Sequence, residues 1–392
     1  MRWASAGSTA SSFEAAVRDV ARALGDQLDG VQPDLAVAFV SPHHAEGYGR
    51  LPALLAETLA PVRLIGCSAG GVIGGGSEIE GQAGVSITAA VLPDVTVRSF
   101  YVEAEAVPPP DAPREAWEAR LGIVAADTPQ FVLLPDPLSC DAQAVIQGLD
   151  RVFPSSTTIG GLASGGQTPG AQALYHDTTV HRAGLVGLAL TGNVALDTIV
   201  AQGCRPIGEP MFVTRADQHL IFELDGHRPL DVLQQLAERA DARDRRLFGH
   251  SLFVGVVMRP HQGAYQQGDF LIRNILGLDG ERGALAVGAA VEPGAVVQFH
   301  LRDAETSATD LVTLLERYRP ARPPAGALLF SCLGRGEHLY GSADHDSKAF
   351  ARHVGVVPLG GFFCNGEIGP VQGETFLHGY TSAFGLFRPR ES

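Results

Sequence analysis

Lysine is almost absent from this sequence. Lys348 is the only lysine among 392 residues, so arginine carries nearly all of the positive charge. P-loop nucleotide binding, Schiff-base chemistry and protein-kinase chemistry each need a lysine inside a defined motif, and Lys348 lies in none of them. The composition therefore argues against these three classes of protein.

Long apolar runs and paired cysteines are also missing. No stretch of about 18 apolar residues occurs, so no membrane-spanning helix is expected. The N-terminus lacks the apolar core of a secretory signal. The five cysteines, at positions 67, 140, 204, 332 and 364, form no CxxC pair. This pattern is typical of reduced thiols in a cytoplasm rather than of a disulfide framework or a zinc site, and we expect a cytoplasmic protein.

The overall charge and composition narrow the class of partner. A net charge of −14 argues against nucleic acid or an anionic membrane as the main partner. Hydrophobic residues make up 45% of the chain and charged residues 18%, as in an ordinary globular protein. The length leaves room for two or three domains, each with its own core.

The same order of predicted elements occurs three times along the chain. Each copy has a short apolar strand, a helix, a second strand or loop rich in glycine, and a further strand that opens with glycine and an apolar residue. The three copies begin at Leu35, Phe131 and Ala327, and their glycine loops begin at Gly66, Gly160 and Gly360. We predict an α/β fold whose mixed sheets are built from repeated strand–helix–strand–loop–strand units.

The segment between the second and third copies has a different pattern, with several short strands and hairpins. A domain boundary is predicted near Gly226, after one such hairpin. This gives an N-terminal helical segment at 1–30, a first domain at 31–225 and a second domain at 226–392, so that the protein has two halves.

Four motifs, in this order, carry a resemblance to a known family. They are LIGCSAGG (64–71), IGGLASGG (159–166), LLFSCLGRG (328–336) and GGFFCNGEIGP (360–370). The set resembles the FIST family, with an N-terminal and a C-terminal FIST domain together covering about Leu35 to Leu386. The resemblance implies a small-molecule-binding sensory role, with amino acids as suggested ligands. Family sensors usually carry an attached output domain. The two FIST-like halves use up the length of this sequence, so the resemblance implies a separate signalling or effector protein as the expected partner.

The polar residues among the dense glycines of the C-terminal half are the main candidates for ligand contact. We predict a pocket between the two halves, where Glu367 accepts a ligand ammonium and Arg335 or Arg273 holds a carboxylate. Pairing of an arginine with Asp269, Asp303 or Glu367 is the alternative. The full set of candidate ligand-binding residues is Cys67, Ser68, Arg273, Asn274, Arg302, Arg335, Gly360, Gly361, Phe362, Cys364, Asn365 and Glu367.

Two other functions stay open at this point. The resemblance includes a haem-binding, nitric-oxide-sensing branch, for which His300 and His378 are the candidate iron ligands. A thiol-dependent enzyme using Cys364 or Cys67 is the other alternative. The sequence fixes no nucleophile–base pair and no metal-ligand spacing, so we predict no catalytic residue, no metal site and no required cofactor.

Overall fold

The computed structural model describes residues 1–260 and 264–390. Its strands, in chain order, are β1 (Arg2–Ser8), β2 (Leu35–Val40), β3 (Arg63–Ser68), β4 (Gly71–Gly74), β5 (Ser77–Glu80), β6 (Val85–Val91), β7 (Val95–Val102), β8 (Gln130–Pro135), β9 (Thr158–Gly161), β10 (Leu174–His176), β11 (Thr179–His181), β12 (Leu185–Gly192), β13 (Ala195–Gln202), β14 (Cys204–Asp217), β15 (Leu220–Leu224), β16 (Leu252–Val257), β17 (Phe270–Asp279), β18 (Ala284–Val287), β19 (Val296–Arg302), β20 (Gly326–Cys332), β21 (Leu359–Cys364), β22 (Glu367–Val371), β23 (Glu374–His378) and β24 (Thr381–Arg388).

The helices are interspersed with these strands. They are α1 (Phe13–Gln27), α2 (Leu51–Thr58), α3 (Arg114–Leu121), α4 (Ala142–Val152), α5 (Pro229–Arg239), α6 (Ala242–Phe248), α7 (Ala304–Arg317), α8 (Glu337–Tyr340) and α9 (His345–His353), with 3₁₀ turns at Pro42–Arg50, Ala104–Ala106 and Ala125–Asp127. Among the helices of the described residues, none combines the length and the apolarity needed to cross a membrane. Mixed sheets with intervening helices confirm the predicted α/β class.

The chain forms two compact units that do not follow its two halves. The first unit contains Met1–Val200, Val312–Leu377 and the segment from Thr381 onward, and the second contains Ala201–Leu311 and His378–Tyr380. The domain boundary predicted near Gly226 stays a prediction. The second unit is inserted into the first at two points of the chain.

Three six-stranded sheets build the first unit. Their orders are β1-β6-β2-β3-β10-β11, β7-β12-β8-β9-β22-β23 and β13-β24-β20-β21-β4-β5. Each has a parallel pair at its centre, namely β2/β3, β8/β9 and β20/β21. A parallel pair needs a crossover connection, and helical segments supply it in every case: α2, α4, and α8 with α9.

The hairpin at the edge of each sheet comes from a different part of the chain. The hairpin β4-β5 follows β3 of the first sheet but pairs with β21 of the third. The hairpin β10-β11 follows β9 of the second sheet but pairs with β3 of the first. The pair β22-β23 follows β21 but joins β9 of the second sheet. The sheets are thus tied together by a cyclic exchange of hairpins, while the internal sequence repeat itself stays a prediction.

The core of the first unit lies between the inner faces of the three sheets. Phe39, Phe330 and Phe362 come from the central strands, with ring centroids 4.6 Å apart for Phe39 and Phe362 and 5.8 Å apart for Phe330 and Phe362. A second cluster packs α1 and α2 on the outer face of the first sheet. A third packs α3 and α4 on the second sheet. The helix α1 begins at Phe13, where Ser12 caps it by accepting a hydrogen bond from the Ala15 N–H.

The predicted glycine loops are largely strands. Gly360 and Gly361 lie inside β21, and the predicted loop 360–369 contains only a tight turn at Asn365-Gly366 between β21 and β22. The glycines are needed for close backbone approach. A Cβ at Gly361 would lie 1.9 Å from the Leu329 carbonyl oxygen of the neighbouring strand. Glycine density therefore marks closely packed strands here, and the loop interpretation was wrong at this position.

The second unit is built around a closed barrel with the order β14-β15-β18-β17-β16-β19. Val213, Val254, Leu285, Val297 and Phe299 are among the buried residues that fill it. The short strands of this segment were predicted, but their closure into a barrel was not. Strand pairing over such separations is set by packing that local sequence patterns do not specify.

Candidate functional site

The carboxyl ends of β3, β9 and β21 meet inside the first unit. The N–H groups of Ser164 and Gly165 each donate to the Ser68 carbonyl oxygen at 3.2 Å. The Asn365 N–H donates to Leu162 O, and Asn365 Nδ2 donates to Ala163 O, both at 3.2 Å. We call residues 67–70, 162–165 and 363–365 the strand-end junction. It brings together four predicted ligand-binding residues, which are Cys67, Ser68, Cys364 and Asn365.

The first two of these residues are already engaged in the packing of the junction. Ser68 Oγ donates to Gln172 Oε1 at 2.7 Å and accepts from the Ala173 N–H at 3.0 Å. Cys67 is fully buried, and burial raises the pKa of its thiol well above the ordinary value. A neutral thiol without an activating base is a poor nucleophile, so the geometry gives no support to a thiol enzyme based on Cys67.

An ion pair without solvent contact lies next to the junction. Arg335, in the turn after β20, places Nε 3.0 Å from Oδ2 of Asp346 on α9. Arg335 Nη2 also donates to the Tyr340 hydroxyl at 2.6 Å. Burial works against ionisation of Asp346, but the Arg335 charge outweighs it and holds the pKa of this carboxyl below its usual range. Among the partners that the described residues offer, Arg335 Nη1 has none.

A second buried acid adjoins this ion pair. Glu78, on β5, accepts through Oε1 from the Ser347 N–H at 2.7 Å and from Ser347 Oγ at 2.8 Å. Burial, and then the charge of Asp346, raise the pKa of Glu78 to about 7. Its Oε2 atom is buried and has no hydrogen-bond partner within the described part of the chain. We call Glu78, Arg335, Tyr340, Asp346 and Ser347 the buried polar network.

Glu367 lies on β22 and is fully buried. Its Oε2 accepts from the Thr381 N–H at 3.0 Å, and its Oε1 lies 3.4 Å from Cys364 Sγ. The Cys332 thiol hydrogen-bonds to the same carboxyl group. Burial raises the pKa of Glu367 to about 8, so the group is mostly neutral at pH 7. Both oxygens are engaged, which leaves Glu367 less suited to a ligand ammonium than the sequence led us to expect.

Gly360, Gly361 and Phe362 belong to the core of the first unit in this structure. All three lie in β21 with buried environments. A Cβ at Gly360 would meet the Thr88 hydroxyl at 1.8 Å. Phe362 stacks on Phe39 rather than forming the wall of an open pocket. Contact of these residues with a ligand stays a prediction.

The other three predicted residues belong to the second unit. The Arg302 guanidinium carbon lies 4.8 Å from the centre of the Tyr380 ring, and the Tyr380 hydroxyl hydrogen-bonds to Asn274. Arg273 Nη1 donates to the Ile272 carbonyl oxygen at 3.0 Å. The second unit therefore brings Asn274 and Arg302 together around Tyr380. The pocket that would combine them with Arg335 and Glu367 stays a prediction.

The histidines considered for haem do not fit that role. An axial ligand needs a ring nitrogen directed at open space large enough for a planar macrocycle. His300 is buried inside the second unit, with its ring packed against Phe270 and against the backbone of Gly255, and its pKa is lowered by burial to about 4. His378 is also buried, at 3% exposure. We derive no step through haem.

Two clefts lie elsewhere in the molecule. A cleft of about 440 Å³ in the first unit is lined by Glu14, His43, His44 and Arg50 among others. A cleft of about 560 Å³ in the second unit is lined by Met211, Leu236, Arg239 and Phe248 among others. None of the predicted ligand-binding residues lines either cleft.

Sequence reasoning missed Glu78, Tyr340 and Asp346. Arg335 was identified as an arginine that needs an anion, with a ligand carboxylate as the expected partner and Asp269, Asp303 or Glu367 as the alternative. The actual partner, Asp346, lies on α9 only 11 residues further along the chain. The helix α9 reads HDSKAFARH, and its single acid, Asp346, stands among basic and polar residues, so composition alone does not mark it as buried.

Two family models match this chain, one in each half. The model of the FIST N domain matches residues 34–227, and that of the FIST C domain matches residues 229–370. An uncharacterized protein of Mycobacterium tuberculosis is 38% identical over 387 residues, covering 97% of this chain and 98% of its own. An F-box/LRR-repeat protein of Arabidopsis thaliana is 25% identical over 185 residues, 41% of this chain and 34% of its own.

A solved structure of a cyanuric acid hydrolase from A. caulinodans aligns over 100% of both chains, with 8% identity and a TM-score of 0.33. That likeness is too low to carry an argument. The two family models together cover nearly the whole chain and agree in order with its motifs. The chain therefore belongs to the FIST family, whose domains are recognised as small-ligand-binding sensory modules.

Proposed function

We propose that this protein is a sensor for a small amino-acid-like molecule, which it binds at the buried polar network. The observation that carries the proposal is a pair of buried side-chain atoms there whose hydrogen bonding is not satisfied by the described residues. Arg335 Nη1 is a buried cationic donor, and Glu78 Oε2 a buried acidic acceptor, and neither has a hydrogen-bond partner among the described residues. Buried polar groups are nearly always paired in proteins, so two orphaned groups of opposite character in one network favour a ligand with a carboxylate and an ammonium.

The segment α8 offers a route for such a ligand to reach the network. This four-residue helix lies between Gly336 and Gly341, whose φ angles are 69° and 66°. Its start is held by Glu80, which accepts from the Glu337 N–H at 3.0 Å. Its end carries Tyr340, which accepts from Arg335. Glycines at both ends can absorb the backbone rotation that would lift α8 from Arg335.

Displacement of α8 would also be the signal. A ligand carboxylate that binds Arg335 would compete with the Tyr340 hydroxyl, and the exposed face of α8 would then change position. A separate signalling or effector protein that contacts this face is the proposed receiver. The free state of all five cysteines supports the proposed cytoplasmic location. The proposed function requires no cofactor.

A thermal-shift screen of the full chain against the common L-amino acids tests the proposal. A ligand that binds only the folded state raises the melting temperature in a concentration-dependent manner. Each hit is compared with its amide and with its N-acetyl derivative, which remove one charge each. We expect both derivatives to lose the shift. If no amino acid stabilises the protein, or if both derivatives stabilise it equally well, the proposal is wrong.

A further inference from the structure

Two cysteines of the first unit lie opposite each other on neighbouring strands. Cys332 is the last residue of β20, Cys364 is the last residue of β21, and the two are paired in the parallel register. Paired residues on adjacent strands lie about 4.8 Å apart and point to the same face of the sheet. A disulfide requires Cα atoms roughly 4.4–6.8 Å apart, so the spacing of the backbone already satisfies this condition.

The surroundings of the two thiols differ in a way that assigns them different roles. Cys332 is half-buried, whereas Cys364 is fully buried. The Cys332 thiol lies close enough to the Arg335 guanidinium for the two to interact electrostatically. A neighbouring cation favours the thiolate, which is the reactive form. Cys364 has no such exposure, but it lies directly opposite Cys332 in the strand register.

A single carboxyl group connects both thiols. Glu367 Oε1 lies 3.4 Å from Cys364 Sγ, and the Cys332 thiol hydrogen-bonds to the same side chain. Redox-sensing cysteines are commonly an accessible thiol beside a second, resolving thiol. Here the Glu367 carboxyl group lies next to both thiols and can donate and accept a proton.

We infer that Cys332 and Cys364 form a peroxide-responsive thiol pair, with Cys332 as the attacking residue and Cys364 as the resolving residue. Cys332 loses its thiol proton, and its thiolate attacks one oxygen of hydrogen peroxide as the O–O bond breaks. Cys332 sulfenic acid forms, and the departing hydroxide takes up that proton and leaves as water. Cys364 sulfur then attacks the sulfenic sulfur, the S–O bond breaks, and a disulfide forms. Glu367 gives its proton to the departing hydroxide and regains one from the Cys364 thiol. In sum, two thiols and one peroxide become one disulfide and two waters.

The position of the pair predicts that the disulfide is reversible. Strained or accessible disulfides have higher reduction potentials than those buried in secreted proteins, and small thiols reduce them. The bond would join two strand ends next to a turn, where Leu333 N–H donates to Cys364 O at 3.1 Å and Arg335 N–H donates to Cys332 O at 2.9 Å. These hydrogen bonds keep the two strand ends opposite each other.

Peroxide treatment of the reduced full-length protein tests the inference. Of the five cysteines, two should be lost to thiol titration in denaturant, and peptide mapping without reductant should find a Cys332–Cys364 link. Dithiothreitol should restore all of the thiols. The Cys140→Ser variant is the matched control, because Cys140 is buried and its pKa is raised to about 12, so this change should leave the peroxide response unaltered.

Two variants separate the proposed roles. Cys364→Ser should accumulate a sulfenic acid at Cys332 that dimedone traps, and Cys332→Ser should lose no thiol to peroxide. Persistence of all thiols in the wild-type protein, or a link between other cysteines, would overturn the inference. The peptide map of the wild-type protein tests the Cys332–Cys364 link even if a variant does not fold. Because no ligand is involved, this result is independent of the proposed sensory function.

Discussion

Arg335 and Asp346 form an ion pair that is removed from solvent. Arg335 Nε lies 3.0 Å from Asp346 Oδ2, and the two side chains are 0% and 2% exposed. Ser382 Oγ donates to the same Asp346 oxygen, and His345 Nδ1 lies 2.9 Å from the other. A buried charge is tolerated only when it is paired, so the position of the turn after β20 depends on α9.

Asp346→Ala should destabilise the protein strongly. It leaves the Arg335 guanidinium buried without its anion, and removing one partner of a buried pair costs about 3–5 kcal/mol. The free energy of unfolding from urea denaturation measures the loss. Asp197→Ala is the control, because Asp197 pairs with Arg388 at 2.7 Å while the two side chains remain 24% and 18% exposed. A loss for Asp346→Ala no larger than for Asp197→Ala would contradict this account of the pair.

The buried acid Glu367 predicts a particular pH dependence of stability. Its pKa in the folded protein is about 8, whereas an unfolded glutamate has a pKa of about 4.3. As the pH rises between these values, the unfolded chain loses its proton while the folded protein keeps it, so the free energy of unfolding should fall. The free energy of unfolding falls by about 1.4 kcal/mol per pH unit, so the total loss between the two pKa values is on the order of a few kcal/mol.

Glu367→Gln isolates this contribution. Glutamine has nearly the same shape as the protonated acid and does not ionise, so the variant should gain stability relative to the wild type as the pH rises from about 5 to 8. Urea denaturation of both proteins at several pH values measures the difference. If the difference in the free energy of unfolding between the two proteins does not change with pH, Glu367 ionises normally in the folded state.

Gly66 and Gly160 should not tolerate a side chain. A Cβ at these positions would lie 2.0 Å from Ala38 O and 2.1 Å from Leu133 O, both in backbone of the paired strand. Gly66→Ala and Gly160→Ala should therefore each cost roughly 1–3 kcal/mol or more, because the strands must move apart. Gly25→Ala is the control: nothing lies within 4 Å of its added Cβ, and alanine in the interior of α1 should gain about 0.5–1 kcal/mol. Equal melting temperatures for all three variants would contradict the close strand packing.

Part of the secondary structure was readable from local sequence patterns. An N-terminal helical segment was predicted at 1–30, and within it the structure places α1 at Phe13–Gln27. The strand β1 was missed because its sequence, RWASAGS, has small polar residues where a typical strand has bulky apolar ones. Pairing with β6 gives it its conformation, and such tertiary stabilisation overrides local propensity.

The sequence identified the arginine of the candidate site but not its acidic neighbours. Arg335 stands out because an arginine in an apolar segment needs an anion. Its partners come from β5 and α9, and the exchange of the β4-β5 hairpin into the third sheet is what brings Glu78 to Ser347. A long-range exchange of this kind leaves no periodic signal near Glu78. Sequence spacing therefore identified the cation of the network but not its acids.

Calorimetric titration of Glu78→Gln with an amino acid identified by the thermal-shift screen tests the central claim most directly. Asp150→Asn is the matched control, because Asp150 also accepts from one residue's N–H and hydroxyl, those of Thr375, both at 2.7 Å. Loss of a buried charged partner costs roughly 1–3 kcal/mol, so we predict about tenfold to hundredfold weaker binding by Glu78→Gln and unchanged binding by Asp150→Asn. Equal affinities in the wild type and in Glu78→Gln would show that the ligand does not bind at the buried polar network.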